Sequence, residues 1–248
     1  MWESGIFRQK KGDGAPLFLI HSLGLDHRVW DGLIARLPDG LSVGVMDLRG
    51  HGQSAVPEGP YTMGRLIADA ETAMDQLELS NAVVVGLSVG GMIAQGLAVK
   101  RLDLVRGLVL ANTAAKLGQP EPWHQRATAV LDGGMDAVAA ATLERWQCAD
   151  PDVGAWLLEC DPKGYAGVCA AIAGSDFFTP TSGLRLPTLG IAGSRDRATP
   201  PDLVRETTEL IPGARFELIK QAGHLSPVDD PDAFTALLVT FLKEIGHI

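Results

Sequence analysis

The chain has 248 residues, enough for one large α/β domain or two small ones; 46% apolar and 21% charged residues are typical of a globular enzyme. A net charge of -9 and the lack of a basic run argue against a nucleic-acid partner. No apolar run reaches membrane-spanning length, and residues 1–14 lack the apolar segment of a signal peptide. We therefore expect no membrane partner, a cytoplasmic location, and free thiols at Cys148, Cys160 and Cys169.

Short runs rich in β-branched residues predict six strands, at 17–20, 42–46, 82–85, 107–111, 188–192 and 215–219. Between or after them, helical periodicity predicts helices at 62–77, 89–100, 201–211 and 231–245. Apolar strands that alternate with helices indicate a mostly parallel sheet covered on both faces. The carboxyl ends of the strands then meet at one edge, where such folds build their sites.

The interval from residue 114 to residue 186 has no strand-like run. It contains four helical stretches, at 121–131, 135–146, 151–159 and 163–173, and Gly133-Gly134 predicts a helix break. Since both ends of the interval return to the same sheet, we interpret it as a helical cap inserted into one folding unit. Residues 1–113 and 187–248 then form the α/β core.

One serine stands between a predicted strand and a predicted helix. Gly86-Leu87-Ser88-Val89-Gly90 fits the pattern G-x-S-x-G, which is weak by itself but informative between a buried strand and a helix. A serine at such a turn has a strained backbone, and small neighbours let the strand and the helix pack around it. Ser88 is therefore the candidate nucleophile; the alternative is that it only caps the helix.

A serine nucleophile needs an imidazole base. Of the six histidines, His224 is the best placed, because Gly223-His224-Leu225-Ser226-Pro227 forms a loop between the last predicted strand and the last predicted helix. His21 and His51 also follow strands and stay as alternatives. For both, the favoured explanation is a loop histidine that binds backbone carbonyl groups.

The base in turn needs a carboxylate to fix its tautomer. Asp196 ends the predicted strand 188–192, so Ser88, Asp196 and His224 follow the chain order Ser, Asp, His with each residue near a strand end. Asp196 could instead form a surface ion pair with a neighbouring arginine. Asp47 and Asp176 are the alternative carboxylates.

Attack on an ester carbonyl creates an oxyanion that needs two N–H donors. We expect these from the backbone of Val89, which follows the serine, and of Leu23, in the loop after strand 17–20. The chain has no phosphate-binding loop, no H-E-x-x-H motif and no Cys/His cluster. We therefore infer no metal and no cofactor.

With these residues placed, the whole chain is identified as a member of the α/β-hydrolases, and within them it resembles the 3-oxoadipate enol-lactonases. The segments that carry the resemblance are 21–26 with Trp30, 47–54, 86–93, 108–116, 144–146, 161–172 and 200–226. Two positions depart from the family pattern. Val89 stands where methionine is frequent, and in Ala173-Gly174-Ser175-Asp176 a small residue stands where a charged one is expected.

The resemblance implies hydrolysis of a small anionic enol-lactone to 3-oxoadipate through an acyl-enzyme, in the degradation of aromatic compounds. The substrate carboxylate needs a cation or several N–H donors under the cap, and Arg145 is the candidate, although a solvated helix face is the favoured explanation of this residue. Trp146 is the candidate wall of the pocket, or else an ordinary packing residue of the cap. Other activities of the fold stay open: a carboxylesterase, a haloperoxidase-like hydrolase, a carbon–carbon bond hydrolase, and, in another class, a ligand receptor. The sequence does not specify an oligomeric state.

Overall fold

The computed structural model describes residues 5–148 and 150–248, and within them it forms one mixed sheet of seven strands. The strands are β1 (Arg8–Lys11), β2 (Ala15–Ile20), β3 (Leu41–Met46), β4 (Ala82–Leu87), β5 (Val105–Ala111), β6 (Thr188–Gly193) and β7 (Arg215–Ile219). Their order across the sheet is β1-β3-β2-β4-β5-β6-β7. Only β1 is antiparallel to its neighbour, so the predicted mostly parallel sheet is confirmed.

The first strand, β1, was absent from the sequence prediction. Its sequence is Arg-Gln-Lys-Lys, and three of these four side chains are exposed, so it carries no apolar pattern. It forms because its backbone pairs with the buried strand β3, with Arg8 opposite Met46. A charged edge strand of this kind also discourages pairing with another chain.

The connection order of the strands reverses beside β4. From β2 the chain crosses outward to β3, whereas from β4 it proceeds in the opposite direction through β5, β6 and β7. The carboxyl ends of β2 and β4 therefore flank the point where ligands bind in open α/β sheets. Leu23 follows β2 and Ser88 follows β4, so the topology brings both to this point.

Eleven α-helices are found in the described parts of the chain, together with a 3₁₀ turn at His27–Trp30. They are α1 (Asp31–Ile34), α2 (Met63–Gln76), α3 (Val89–Lys100), α4 (Pro120–Gly133), α5 (Asp136–Trp146), α6 (Asp152–Glu159), α7 (Pro162–Ala173), α8 (Phe178–Ser182), α9 (Pro201–Glu209), α10 (Ser226–Asp229) and α11 (Pro231–Glu244). The helices that were not predicted, α1, α8 and α10, have four or five residues, too few to show periodicity. None of the described helices is long and apolar enough to cross a membrane.

Helix α3 is the most deeply placed of the long helices. Every residue from Val89 to Ala98 is buried, so the helix is apolar on all sides rather than on one stripe. It packs on β4 and β5 and is covered in turn by α2 and α8. Its amino-terminal end is thereby fixed against the sheet, directly after Ser88.

The interval between β5 and β6 contains α4 to α8. Helix α4 ends at Gly133, and Gly134 has a φ of 70°, so the predicted helix break lies between α4 and α5. The main contact within the interval is between α4 and α7.

Helix α7 meets the core where two backbones touch. A Cβ atom added to Gly164 would lie 1.9 Å from the carbonyl oxygen of Gly50, in the loop after β3. Gly50 itself has a φ of +77°. The approach of the inserted helices to the core therefore depends on a glycine on each side.

We expect Gly164→Ala to lower the free energy of unfolding by about 1–3 kcal/mol, because the new methyl group must push α7 away from the core. The matched control is Gly64→Ala in α2, where an added Cβ meets nothing within 4 Å. There alanine should raise the stability by about 0.5–1 kcal/mol. Urea denaturation measures both changes, and equal stability of the two variants would contradict the packing argument.

Candidate active site

The turn at Ser88 has the strained backbone that the sequence motif predicts. Ser88 has a φ of 56° and a ψ of -119°, in a region that non-glycine residues rarely occupy. Its N–H donates to the carbonyl of Ala111 at the end of β5 (2.9 Å), and its carbonyl accepts the Thr113 hydroxyl (2.5 Å). The last residue of β5 and a residue just after it thus hold the turn in place.

Two glycines allow the turn to form. A Cβ atom added to Gly86 would lie 2.3 Å from the carbonyl oxygen of Gly90, and one added to Gly90 would lie 2.2 Å from the carbonyl oxygen of Ile20. Both distances are far inside van der Waals contact with rigid backbone. The prediction that only glycine-sized neighbours let the strand and the helix pack here is confirmed.

Asp196 and His224 are hydrogen-bonded to each other, with 2.8 Å between the aspartate Oδ2 and the histidine Nδ1. Among the described residues, no arginine forms an ion pair with Asp196. Its Oδ1 accepts the N–H groups of Ala198 (2.7 Å) and Thr199 (2.9 Å). Its Oδ2 also accepts the Thr199 hydroxyl (2.6 Å) and the side-chain amide of Asn112 (2.9 Å).

This set of donors keeps the carboxylate ionised. Burial alone raises the pKa of Asp196, but the charge and hydrogen bond of His224, together with the bonds from Thr199 and Asn112, outweigh it and hold the pKa below the ordinary value. The negative charge favours a histidine that donates its Nδ1 proton, which leaves the lone pair on Nε2. The histidine therefore has the tautomer of a general base.

The loop around His224 is anchored to the inserted helices. The His224 N–H donates to the carbonyl of Trp146 at the end of α5 (2.7 Å). The two rings also stack, with centroids 5.8 Å apart and planes at 19°. Gly223 N–H donates to the Asp229 carboxylate in α10 (2.7 Å), so the loop is held from both sides.

The two alternative histidines, His21 and His51, form hydrogen bonds to backbone groups. His21 lies with Nδ1 2.7 Å from the carbonyl of Ser22, and its Nε2 accepts the N–H of Leu48 (2.9 Å). His51 has Nδ1 3.1 Å from the carbonyl of Arg49. Both rings are buried, so they hold loops together, as the alternative explanation of these histidines states.

The alternative carboxylates serve other contacts. Asp176 is exposed and lies 3.3 Å from the Lys116 ammonium. The Oδ1 atom of Asp47 accepts the backbone N–H of His27 (2.8 Å) and also lies 2.8 Å from the ring Nδ1 of His27. The hydrogen bond to Asp47 raises the pKa of His27, although burial opposes it.

Asp26, His27 and Asp47 have potential metal-ligand atoms within 4.8 Å of one another. These groups are already used within the cluster, however. Asp47 binds His27, and Asp26 accepts the Arg28 guanidinium at 2.6 Å and 2.9 Å. The contacts explain the cluster as an ion-paired anchor for the loop after β2.

A cavity of about 290 Å³ lies at the sheet edge and is lined by Ser88 and His224. Leu23, Arg145 and Trp146, three further residues singled out from the sequence, line it as well. Val89 is buried as the first residue of α3. Within residues 5–148 and 150–248, the N–H groups of Leu23 and Val89 donate to no backbone or side-chain acceptor.

Two arginines line this cavity without a carboxylate partner. Arg145 lies on α5 and Arg126 on α4, and neither forms an ion pair within the described parts of the chain. Arg145 is exposed on one side, in keeping with the alternative of a solvated helix face, while partial burial and the nearby charge of Arg126 lower its pKa. The cavity is therefore a cationic site in an acidic protein.

Sequence reasoning missed Arg126 together with Asn112, Thr199 and Tyr165, all of which contact the site. Asn112 and Thr199 each follow a core strand, which is a usable signal. Arg126 and Tyr165 lie on α4 and α7, and helical periodicity does not show which face of an inserted helix points at a distant serine.

The fold, the strained serine and the Asp–His pair define a hydrolase of the α/β type. Residues 17–237 match the alpha/beta hydrolase family, and the chain belongs to that family. The chain is 31% identical to 3-oxoadipate enol-lactonase 2 of Acinetobacter baylyi, over 95% of this chain and 91% of that protein. The predicted resemblance to enol-lactonases is confirmed.

Solved structures agree with this placement. The enol-lactonase from Burkholderia xenovorans is 36% identical, with a TM-score of 0.91 and 96% of each chain covered. A thermophilic esterase from Thermogutta terrifontis, with malate bound, is 29% identical, with a TM-score of 0.90, covering 97% of this chain and 93% of that chain. Similarity thus extends to both a lactonase and an esterase.

Acid should destabilise the protein through His51. Burial, with the nearby His21, lowers the pKa of His51 to about 3. In the unfolded chain a histidine binds its proton near pH 6.5. Above that pH, His51 does not lower the free energy of unfolding; as the pH falls from 6.5 towards 3, protonation of the unfolded chain lowers it progressively. Between pH 8 and pH 5 the loss from this residue is about 2 kcal/mol.

In His51→Asn, an amide can still donate to the Arg49 carbonyl, so we expect the loss of stability between pH 8 and pH 5 to shrink by about 2 kcal/mol relative to the wild type. The control is His124→Asn, an exposed position whose replacement should leave the pH dependence as it is. Urea denaturation at the two pH values gives the comparison. An unchanged slope in His51→Asn would contradict the prediction.

Proposed function

We propose that this protein is a serine hydrolase that opens a small anionic enol-lactone, with 3-oxoadipate enol-lactone as substrate and 3-oxoadipate as product. Ser88 is the nucleophile, His224 the general base and Asp196 the residue that orients His224. The N–H groups of Leu23 and Val89 form the oxyanion hole. Residues 114–186 act as the cap that closes the site.

The observation that carries the choice of substrate is the pair Arg126 and Arg145 in the same cavity as Ser88. A guanidinium with no carboxylate partner, next to a second one, favours an anionic ligand. A neutral ester makes no use of these charges. The proposed lactone has a carboxylate that both arginines can bind, and the small volume of the cavity suits a five-membered ring with a short side chain.

The first half of the reaction forms an acyl-enzyme. The Ser88 hydroxyl attacks the lactone carbonyl while His224 Nε2 removes its proton, and the oxyanion receives the N–H groups of Leu23 and Val89. Asp196 stabilises the imidazolium that results. When the ring C–O bond breaks, the leaving enol oxygen takes the proton from His224, and the enol then tautomerises to the ketone.

The second half releases the product. His224 removes a proton from water, which attacks the acyl carbonyl, and the tetrahedral intermediate again places its oxyanion at the same two N–H groups. Collapse returns the proton to Ser88 and frees the second carboxylate of the product. Since an enol is a good leaving group, positioning and oxyanion stabilisation contribute most of the rate enhancement.

The enol-lactonases of Acinetobacter baylyi and Burkholderia xenovorans support this substrate. The esterase of Thermogutta terrifontis, 29% identical, favours a second candidate, a carboxylesterase with the same catalytic groups. The two candidates differ in what binds under the cap and not in the covalent steps. Comparing a charged lactone with a neutral ester separates them.

The lactone substrate, 3-oxoadipate enol-lactone, is generated from muconolactone. We expect its kcat/KM to exceed that of a neutral aryl ester of similar size by at least about 100-fold, because a charge-assisted hydrogen bond to the carboxylate contributes roughly 3 kcal/mol. Ser88→Ala should lower both activities by at least about 10⁴-fold while the protein stays folded. Absorbance assays of lactone loss and aryl alcohol release measure the two reactions. A preference for the neutral ester would refute the lactonase assignment, and full activity of Ser88→Ala would refute the nucleophile.

The arginines should determine KM for the charged substrate. We expect Arg126→Met and Arg145→Met each to raise KM for the lactone about 10-fold or more, because each removes a charge-assisted hydrogen bond, while their effect on a neutral ester is much smaller. Arg36→Met is the control, since Arg36 is on the surface and pairs with Asp232. Steady-state kinetics of both substrates measures the difference. Parallel losses on both substrates would show that the arginines do not bind the carboxylate.

A further inference from the structure

Tyr165, in helix α7, contacts the two parts of the site that the proposed function uses separately. It is fully buried and lines the same cavity as Ser88 and His224. One end of its side chain, the hydroxyl, touches Arg126. One edge of its ring touches Gly24, the residue after Leu23.

The hydroxyl holds the Arg126 guanidinium in place. Arg126 Nη1 donates to the Tyr165 hydroxyl oxygen at 3.0 Å and lies 3.4 Å from the hydroxyl of Thr142. The guanidinium also lies over the ring of Trp123, 5.4 Å from its centroid. Burial raises the pKa of Tyr165 to about 12, so the hydroxyl is neutral and does not cancel the arginine charge.

The ring end supports the loop that follows β2. Gly24 has a φ of +81°, and a Cβ atom added there would lie 2.9 Å from a ring carbon of Tyr165. The side chain of Leu157, in α6, lies at 2.6 Å from the same point. The backbone of the loop is therefore pressed directly against these two side chains, and the N–H of Leu23 belongs to the adjoining residue.

We propose that Tyr165 is a positioning residue. Its hydroxyl fixes the position of the Arg126 guanidinium, and its ring fixes the position of the Leu23 N–H. The proposal rests on the roles given above to Arg126 and Leu23. Through one rigid side chain, the group that binds the substrate carboxylate and a donor to the oxyanion are held at a fixed separation. A substrate whose carboxylate and carbonyl match that separation is then oriented for attack by Ser88.

Removing only the hydroxyl tests the first half of the proposal. Tyr165→Phe keeps the ring against Gly24 but releases Arg126, so KM for the lactone should rise about 3- to 10-fold, and the ratio of kcat/KM for lactone to that for a neutral aryl ester should fall by the same factor. Tyr61→Phe is the matched control. Tyr61 packs against Gly167 of the same helix, donates its hydroxyl to Pro57, and lies outside the cavity. An unchanged ratio in Tyr165→Phe would overturn this half.

Removing the ring tests the second half. Tyr165→Leu leaves the loop at Gly24 without its support, and kcat should fall at least about tenfold for the lactone and the neutral ester alike, because small displacements of a catalytic group are costly. Tyr165→Met, which fills more of the space, serves if the leucine variant does not fold. A folded variant with kcat for the ester within about twofold of Tyr165→Phe would overturn the role of the ring.

A third measurement does not require turnover of the lactone. Adipate is expected to inhibit hydrolysis of the neutral ester competitively, with an inhibition constant about 3- to 10-fold higher in Tyr165→Phe than in the wild type. If the lactone is not a substrate but this difference is found, the positioning role stands and the lactonase proposal fails. Equal inhibition constants in the two proteins would overturn the link between Tyr165 and anion binding.

Discussion

The close approach of helix α3 to the neighbouring strands is the constraint on which the rest of the site depends. The backbone of Gly90 touches the carbonyl of Ile20, and Gly86 touches Gly90, so neither position has room for a side chain. This contact fixes the first turn of α3 beside the end of β2. It thereby brings the N–H of Val89 and the loop that contains Leu23 to the same point, with Ser88 between them. The positive φ of Ser88 is the local cost of that arrangement, and the surrounding buried backbone maintains it.

The sequence predicted the core of the fold because the core obeys local rules. Strands β2 to β6 are apolar runs with turn residues at their ends, and the order of Ser88, Asp196 and His224 follows from which strands they terminate. Strand β1 escaped prediction because its pairing partner, and not its own residues, determines its conformation. Arg126 and Tyr165 escaped for a related reason: their position depends on how α4 and α7 pack together, and packing between distant helices is not encoded in periodicity.

Glycines recur where the inserted helices meet the core. Gly24 lies against the side chains of Tyr165 and Leu157, and Gly50 lies against the backbone of Gly164, so α6 and α7 closely contact the loops after β2 and β3. The contact between Gly50 and Gly164 leaves little freedom for small adjustments, because backbone cannot change rotamer as a side chain can. The loop with Leu23 is thus shaped as much by the inserted helices as by the strand that precedes it. A substitution in α6 or α7 can therefore shift the loop that contains Leu23 as well as the wall of the cavity.

The cavity is lined by positive charges, whereas the whole protein has a net negative charge. The net charge of -9 shows that the chain has many carboxylates, yet within its described parts neither Arg126 nor Arg145 forms an ion pair. Arg126 instead contacts the Tyr165 hydroxyl and the Trp123 ring, and its charge repels that of Arg145. This arrangement is unfavourable for Arg126, which is half-buried and loses hydration without gaining a counter-ion, and less so for Arg145, which is exposed. By contrast, the buried Arg49 forms two hydrogen bonds to Asp69. A cation left without a counter-ion is a local inconsistency of the kind expected at a functional site, and in the proposed function the carboxylate of the substrate supplies the missing negative charge.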